Sequence, residues 1–328
     1  MFRQIRVHPD DTNLQRTLWQ ADPSAEIQDF RLTTVTYGTA SAPYLATRTL
    51  LQLAQDEGHS YPLGAAVIRA NTYVDDVLAG ASTLKEAQEI KRQTVKLLEA
   101  GGFRLSKWAG SNSALCPDGD QAERLFSTTE GVGTLGVLWA PAEDSLRLRA
   151  IPALTSTRGP SKRTVLSDVA RLFDPAGWAA PVLIGAKVFL QDLWLAGLDW
   201  DEALPPTLQT RWLRLASSLP GLDGLSIPRW TGISSHLELH GFSDASERAY
   251  AAAVYVRGTG LSGAWRSSLL VAKTKVAPAK PVSIPRLELC GALLAARLLL
   301  RTATGLGLAA SDLYAWTDAR VVLAWLRS

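Results

Sequence analysis

The chain has 328 residues, of which 47% are hydrophobic and 20% are charged, a composition that is typical of a globular protein and excludes a disordered one. A length of this order predicts roughly two or three domains. The formal net charge of +3 permits a nucleic-acid partner but is too small to argue for one. Two cysteines exclude a disulfide framework and a cysteine-based zinc site, which favours a reducing compartment. The N-terminal residues lack the apolar segment of a secretory signal peptide.

The first segments of the chain predict short strands followed by a helix. Alternation of apolar and polar side chains predicts a strand at residues 2–7, and β-propensity predicts strands at residues 17–20 and 30–35. A helix is predicted from Pro43 to about residue 57, because proline suits the first helical turn. Gly38 precedes this helix. It could allow a ligand to approach the backbone closely, although a simple strand-to-helix turn is the commoner reason for such a glycine.

Residues 71–78 carry two adjacent carboxylates between apolar and β-branched residues. This pattern predicts a strand, a tight acidic turn and a returning strand. Successive side chains of an extended chain point to opposite faces, so Asp75 and Asp76 cannot both face one ligand equally. One of them can offer oxygen ligands to a hard divalent cation such as Mg²⁺. The alternative is a solvated turn, because aspartate is a common turn residue.

A helix with clear end signals follows the acidic hairpin. Thr83 and Glu86 have the spacing of a capping box, and Gly101 and Gly102 mark the end of the helix. Residues 103–108 are predicted to return as a strand, and residues 134–139 to form another. Lys107, in the first of these, either neutralises a phosphate or is simply solvated.

The middle of the chain, residues 150–232, has a helical character. Helices are predicted at residues 165–173, 179–198 and 207–215, and a linker at residues 219–228. Arg158, Lys162 and Arg163 lead into the first helix, which suits contact with a duplex backbone. A helical packing module with solvated charges is an equal alternative. The apolar residues 179–198, like residues 287–300 further on, are too short or too polar to span a bilayer.

The last part of the chain predicts a β-β-β-α-β order with three separated acids. Strands are predicted at residues 237–246, 250–256, 269–276 and 313–318, with a long helix from Pro285. Asp244 and Asp318 end the first and fourth strands, and Glu288 lies near the start of the helix. In this order the three carboxylates can converge, and converging carboxylates repel unless a metal compensates them. Singly, Glu288 could compensate the helix dipole and Asp318 could be an N-cap.

Taken in chain order, the motifs resemble the reverse transcriptase and ribonuclease H parts of Pol polyproteins. In their amino-acid sequence they are most similar to those of Bel/Pao-type long-terminal-repeat retrotransposons. Tyr73-Val74-Asp75-Asp76 resembles the metal-binding hairpin of a reverse transcriptase palm. Leu135-Gly136-Val137-Leu138-Trp139 resembles the primer-grip hairpin. The resemblance implies Asp75 and Asp76 as catalytic metal ligands. It implies nucleotide or template contacts at Phe2, Tyr37, Gly38, Tyr73 and Lys107.

The C-terminal motifs Phe242-Ser243-Asp244-Ala245-Ser246, Leu287-Glu288-Leu289 and Trp316-Thr317-Asp318 resemble a ribonuclease H domain. The resemblance implies Asp244, Glu288 and Asp318 as catalytic metal ligands. It places the first palm aspartate of the family five residues before Phe2. It places the fourth acid, the fifth strand and the last helix of the ribonuclease H beyond Ser328. One carboxylate of each site would then lie outside the sequence, and the alternative function is a catalytically inactive nucleic-acid-binding or relic fragment.

The resemblance implies an α+β or α/β multidomain fold. Its expected parts are a partial palm with primer grip at residues 1–149, a helical thumb or connection at 150–232, and a truncated ribonuclease H-like domain at 233–328. The second part is similar to a region called a peptidase in family names, but it has no Asp-Thr-Gly or Asp-Ser-Gly motif, so proteolysis is not predicted.

The chemistry that the resemblance implies is two-metal phosphoryl transfer with Mg²⁺ or Mn²⁺ in an RNA-directed DNA polymerase and ribonuclease H. The expected partners are the RNA or DNA template-primer, the RNA–DNA hybrid, deoxynucleotide triphosphates and the remainder of the Pol polyprotein, with no membrane. The expected location is the cytoplasm, with the nucleus as the alternative.

Overall fold

The computed structural model describes residues 1–116, 131–148 and 159–328. These fall into two compact units, Met1–Thr128 and Thr129–Ser328. Arg158 and the predicted domain boundary after residue 149 lie outside the described residues. The predicted three-part division of the chain therefore stays a prediction.

The first unit packs three helices around a core rich in small side chains. Its elements are β1 (Arg16–Trp19), β2 (Gln28–Arg31), α1 (Ala42–Asp56), α2 (Pro62–Ala70), β3 (Thr72–Tyr73), β4 (Asp76–Val77) and α3 (Leu84–Ala100). One face of α1 buries Ala42, Ala46, Leu50 and Ala54, which recur at the four-residue spacing of a helix face. Gly64 of α2 lies against the backbone of α3, because a Cβ there would stand 2.8 Å from the carbonyl oxygen of Gln93.

The predicted helices of this unit are confirmed. Helix α3 begins after Thr83, whose hydroxyl accepts a hydrogen bond from the Glu86 N–H at 3.2 Å. Helix α2 was not predicted. Its short apolar run, Leu63 to Ile68, buries Gly64, Ala65, Val67 and Ile68, and such a run does not distinguish a strand from a buried helix.

Two predicted strands of this unit are wrong. In residues 2–7, only an isolated antiparallel bridge forms, between Arg6 and Thr34, and the preceding residues form a 3₁₀ turn at Phe2–Gln4. In residues 103–108, the Phe103 N–H closes on the Leu98 carbonyl at the end of α3. Lys107 then adopts a φ of +56°, which breaks an extended run.

The second unit contains a four-stranded antiparallel sheet in the order β5 (Val132–Thr134), β6 (Val137–Ala140), β7 (Ser145–Arg147) and β8 (Ser226–Pro228). The predicted single strand at 134–139 is a hairpin, because Leu135 and Gly136 both take positive φ and reverse the chain. The predicted linker at 219–228 is wrong. Its end is β8, which is held by the Arg229 guanidinium on the Asp144 carboxylate at 2.6 and 2.8 Å.

Three helices follow in the second unit: α4 (Lys162–Ala170), α5 (Ala180–Leu195) and α6 (Pro206–Ser218). All three were predicted, with ends that differ by a few residues. Their shared core stacks Phe189 on Trp212 with ring centroids 5.6 Å apart. Lys162 is buried and donates from Nζ to the Leu198 carbonyl at 2.8 Å, so it packs within the protein and is not a solvated charge.

The C-terminal part of the unit contains β9 (Ser235–Ala245), β10 (Ala249–Thr259), β11 (Trp265–Val276), α7 (Ile284–Leu306), β12 (Leu313–Thr317) and α8 (Arg320–Arg327). Its sheet has the order β11-β10-β9-β12 and the predicted β-β-β-α-β connection. β9, β10 and β11 pair antiparallel, whereas β12 runs parallel to β9. The long crossover through α7 is the kind of connection that a parallel pair requires.

Helix α7 is longer than the apolar segment recognised in the sequence. With 23 residues, α7 is long and apolar enough to cross a membrane by length and composition alone, which the shorter segment at residues 287–300 did not predict. Seven of its residues, among them Leu287, Leu294 and Leu299, are buried, and α7 lies against β9 and β10. This packing accounts for the apolar composition of the helix.

Candidate metal centre

The strand register brings two of the predicted acids to the same end of the C-terminal sheet. Asp244 is the penultimate residue of β9, and Asp318 directly follows β12. In the parallel pair, Thr317 lies opposite Ser243, which makes Asp318 and Asp244 equivalent neighbours. Parallel strands carry their C-terminal ends to one edge of a sheet, so this closeness follows from the topology. The alternative reading of Asp318 as an N-cap is wrong, because Ala319 holds the N-cap position of the following helix and no side chain caps it.

Glu288 reaches the same place from α7 because two glycines let the helix lie close to β9. A Cβ on Gly241 of β9 would stand 2.4 Å from a methyl carbon of Leu299, and a Cβ on Gly291 of α7 would stand 3.3 Å from the backbone oxygen of Asp244. Glu288 is the fifth residue of α7 and so lies beyond the first turn. It is therefore not placed to compensate the helix dipole at the N-terminus, which acts mainly within the first turn.

The three carboxylates converge. One oxygen from each of Asp244, Glu288 and Asp318 lies within 4.8 Å of the others, and this is the one group of three metal-ligating side chains in the described residues. Asp244 and Asp318 are exposed, whereas Glu288 is only 9% exposed. The Oδ1 atom of Asp244 accepts a hydrogen bond from the Ala245 N–H at 2.8 Å, which fixes the orientation of that carboxylate. The cluster is thus open to solvent on one side and rests on a buried acid.

The electrostatics of the cluster are unfavourable without a cation. Burial raises the pKa of the Glu288 carboxyl, and the negative charges of Asp244 and Asp318 raise it further. In addition, the Oε2 atom of Glu288 is buried and has no hydrogen-bond partner. Buried polar atoms in native proteins almost always have partners, so this oxygen indicates a missing ligand.

The residues present fit a hard divalent cation. All three donors are carboxylate oxygens, the ligand type that Mg²⁺ and Mn²⁺ prefer. The unpaired Oε2 of Glu288 is available as a ligand, and the solvent-facing side leaves room for water or a phosphate oxygen. Asp244, Glu288 and Asp318 are therefore the residues of this unit that could hold the metal.

The predicted acidic hairpin also forms, in the first unit. Tyr73 pairs with Asp76 across a two-residue turn of Val74 and Asp75. Val74 has a φ of +53°, which is a strained conformation for a β-branched residue and costs roughly 1–3 kcal/mol. Asp75 and Asp76 are both exposed, and among the described residues they do not form a group of three ligands. The hairpin presents two carboxylates at an exposed tip, without a further acid beside them in those residues.

The other predicted site residues lie in the same unit. Phe2 packs partly buried against the core, Tyr37 is 63% exposed, and Tyr73 is 64% exposed. Gly38 has a φ of +89° with open space where a Cβ would be, and Lys107 is exposed. No hydrogen bond or ion pair joins these side chains to one another within the part of the chain that the structure describes.

Reasoning from the sequence missed Gly241 and Gly291, which position Glu288. A signal was available for both. A glycine in the middle of a strand, or one turn after the acid of a helix, often marks a close approach of two backbones.

Three comparisons with known proteins bear on this geometry. Residues 161–319 match the family described as the Pao retrotransposon-like RNaseH-like domain. A search of curated proteins found no match. Solved structures with a similar fold include the foamy viral protease-reverse transcriptase in complex with an RNA/DNA hybrid, with a TM-score of 0.55 and 14% identity over 99% of this chain. The same viral protein in complex with double-stranded DNA gives a TM-score of 0.53 and 14% identity over 98% of this chain.

This chain spans only 41% and 58% of the lengths of those two viral chains. At such low identity the likeness shows the fold alone. It supports a mixed α/β architecture that resembles a reverse transcriptase with a ribonuclease H-like fold, and the family match places the ribonuclease H-like part in the second unit.

Proposed function

We propose, from the premise that this chain is a Bel/Pao-type retrotransposon Pol segment with a ribonuclease H-like domain, that its second unit binds RNA–DNA hybrid and hydrolyses the RNA strand. The proposed centre is Asp244, Glu288 and Asp318. The observation that carries the proposal is the unpaired, buried Oε2 of Glu288 beside two exposed carboxylates. An RNA–DNA hybrid is also the ligand in the structure of the foamy viral protein.

The three side chains differ in burial, and we assign them different roles accordingly. Glu288, on helix α7, is the buried ligand, and a cation beside it would favour its ionised form, which burial and the two neighbouring acids disfavour. Asp244, oriented by the Ala245 N–H, and Asp318, at the end of β12, face solvent and can share the cation with the phosphate of the RNA. A divalent cation held there would lower the pKa of a bound water and offset the charge that develops on the phosphate.

Hydrolysis in this arrangement needs no covalent intermediate on the protein. Water attacks the phosphorus, the bond from phosphorus to the leaving ribose oxygen breaks, and the products are a 5′-phosphate and a 3′-hydroxyl end. The contribution of the chain is to hold the three carboxylates in place before the substrate arrives, so no reorganisation is needed during the reaction.

The test of this function is cleavage of the RNA strand in a labelled RNA–DNA hybrid by the purified chain with Mg²⁺ or Mn²⁺. We expect Asp244→Asn to abolish cleavage, because the change keeps the shape of the side chain and removes its charge. Asp312→Asn, at the opposite end of β12 from the cluster, is the matched control and should cleave like the unchanged chain. Cleavage that persists at the same rate in Asp244→Asn would refute the proposed centre.

A second candidate function is DNA polymerisation, in which the first unit would supply part of a reverse transcriptase palm and the helices of the second unit a thumb or connection. The acidic hairpin with its strained Val74 supports this candidate, because backbone strain is often concentrated at functional sites. In the complete Pol protein, Asp75 and Asp76 would hold metal for nucleotide addition, with Phe2, Tyr37, Gly38, Tyr73 and Lys107 near nucleotide or template.

Primer extension on an RNA template tests polymerisation, with Asp75→Asn and Asp76→Asn as variants. Extension that is lost in both supports the candidate for this chain. Hybrid binding without extension or cleavage would instead favour a non-catalytic nucleic-acid-binding role.

A further inference from the structure

A second polar concavity lies within the same unit as the carboxylate cluster. A cleft of about 570 Å³ is bounded by the start of α5, the strand β11 and the second half of α7. Arg301 of its lining follows Glu288 by more than three turns of α7, which is roughly 20 Å along the helix axis. At its other end, Thr274 of β11 pairs with Ala251 of β10, which pairs with Asp244 of β9, so Thr274 lies two strands, or roughly 10 Å, from Asp244. None of the three carboxylates lines the cleft, which therefore adjoins the proposed metal centre without including it.

Three cationic side chains from three different elements line this cleft. They are Lys187 of α5, Lys273 of β11 and Arg301 of α7. None of the three has an ion-pair partner among the described residues. Asp174 also lines the cleft, but its two carboxylate oxygens accept hydrogen bonds from the backbone N–H groups of Trp178 and Ala179 at 3.0 and 2.8 Å. The cleft thus has a net positive charge that the protein itself does not balance.

The free edge of β11 places a backbone N–H, which is an uncharged hydrogen-bond donor, beside these cationic side chains. The Ala272 N–H points away from β10 and donates to the Ala176 carbonyl at 2.7 Å. Backbone groups of a strand alternate between its two sides, so the N–H of Thr274, two residues further on, points to the same free edge. Ala272 is covered by the loop before α5, whereas Thr274 lines the cleft. Cations beside an outward N–H form the kind of donor set that binds phosphate oxygens.

We propose that this basic cleft, defined by Lys187, Lys273 and Arg301, binds a backbone phosphate of the duplex on which the metal centre acts. The proposal rests on the proposed function, because the carboxylate cluster supplies the reason for a duplex to lie on this unit. The lining lies from roughly 10 Å (Thr274) to roughly 20 Å (Arg301) from the carboxylate cluster, which equals about three to six nucleotide steps of a strand at 3.4 Å per step. The cleft would therefore hold the duplex at a distance from the scissile phosphate and fix its direction over the cluster.

The experiment measures binding of the full chain to an RNA–DNA hybrid in EDTA, where no cleavage can occur, over a series of salt concentrations. The cleft variant carries Lys187→Gln, Lys273→Gln and Arg301→Gln. The matched control carries Lys275→Gln, Lys280→Gln and Arg214→Gln, which removes the same charge from residues that do not line the cleft. A third variant, Lys187→Arg with Lys273→Arg and Arg301→Lys, keeps the charge of the cleft.

We expect the cleft variant to bind about tenfold more weakly near 0.1 M salt, and its logarithmic salt slope to fall by about 1 for each phosphate that the cleft no longer binds. The control and the charge-keeping variant should bind within about twofold of the unchanged chain. Equal affinity and equal salt slope in the cleft variant and the control would overturn the proposal, as would no measurable hybrid binding by the unchanged chain. A cleft variant that unfolds is recognised by circular dichroism, and the three single substitutions then replace it in the same comparison.

Two further readouts separate this proposal from others. Thermal stabilisation by inorganic pyrophosphate that is lost in the cleft variant, with hybrid affinity unchanged, would assign the cleft to a free phosphate ligand and overturn the backbone contact. Cleavage at saturating protein should be equal in the cleft variant and the unchanged chain. If the unchanged chain binds hybrid through the cleft but cleaves none, the proposed hydrolysis fails and the cleft assignment stands.

Discussion

At the level of single residues, Glu288 combines several features that are unusual for a glutamate. It is an acid with 9% exposure, an oxygen without a partner and two acids beside it, and burial together with those charges raises its pKa. A carboxyl whose pKa is raised by folding favours the folded state while it is protonated, below its ordinary pKa. That contribution is lost as the pH rises through the raised pKa of the folded state. Glu288 therefore lowers the free energy of unfolding of the metal-free protein at neutral pH.

Glu288→Gln should stabilise the metal-free protein at pH 7, because it keeps the shape of the side chain and removes the repulsion. The expected gain in the free energy of unfolding is about 1–4 kcal/mol. This is the repulsion between two like unit charges about 4 Å apart, for an effective dielectric constant between that of bulk water and that of a protein surface. The gain should vanish near pH 3, where Glu288 is protonated. Urea unfolding in EDTA at both pH values measures this difference. A loss of stability in Glu288→Gln at pH 7 would show that repulsion among the three carboxylates does not destabilise the folded protein.

At the level of elements, the C-terminal β-β-β-α-β order could be predicted because four strand-like segments and one long apolar helix are recognisable in the sequence, and Asp244 and Asp318 each lie at the end of a strand. The convergence of Asp244, Glu288 and Asp318 followed from that order. Other elements could not be predicted, because their conformation depends on neighbours distant in sequence. The extended reading of residues 103–108 failed at Lys107, where a positive φ in a non-glycine residue leaves no mark in the sequence. Strand β8 looked like a linker because its partner, β7, lies some 80 residues earlier in the chain.

The contact between the loop before α5 and β11 is another long-range feature, and it depends on one glycine. Gly177 has a φ of +77°, and a Cβ there would stand 1.9 Å from the Ala272 carbonyl oxygen. Trp178 adds a hydrogen bond from its indole N–H to the Leu270 carbonyl at 3.3 Å. Together they cover part of the edge of β11, which would otherwise be an unpaired strand edge prone to aggregation.

Gly177→Ala should destabilise the second unit by roughly 1–3 kcal/mol from backbone strain, with a similar further amount from the clash with β11. Gly197→Ala is the matched control, because Gly197 also has a positive φ of +69° but has open space where a Cβ would be. The difference between the two variants in urea unfolding isolates the contact with β11. Equal losses in the two variants would contradict a close contact at this place.

At the level of the whole molecule, the helices of residues 161–232 and the C-terminal sheet belong to one compact unit. The Gln191 side chain donates to the Ala277 carbonyl at 2.7 Å, and the Asp192 carboxylate binds Arg211 at 2.7 Å and also Arg248. The resemblance to Pol polyproteins implied a boundary after residue 232. These contacts across the predicted boundary involve single side chains and could not be read from composition.

The fragment 129–328 should therefore unfold in one cooperative transition, whereas the fragment 233–328 should aggregate or lose its tertiary structure, because the edge of β11 and one side of α7 lose their cover. Size-exclusion chromatography and near-ultraviolet circular dichroism of the two fragments measure this. A monomeric, cooperatively folded 233–328 fragment would support the boundary predicted from the sequence.

The most direct test of the central claim, that Asp244, Glu288 and Asp318 form a divalent metal site, is the binding of Mn²⁺ to the full chain measured by electron paramagnetic resonance. We expect bound Mn²⁺ in the unchanged chain, a decrease in affinity of at least about tenfold in Glu288→Gln and in Asp244→Asn, and unchanged binding in Asp312→Asn. Mn²⁺ binding that is equal in all four proteins would contradict the assignment.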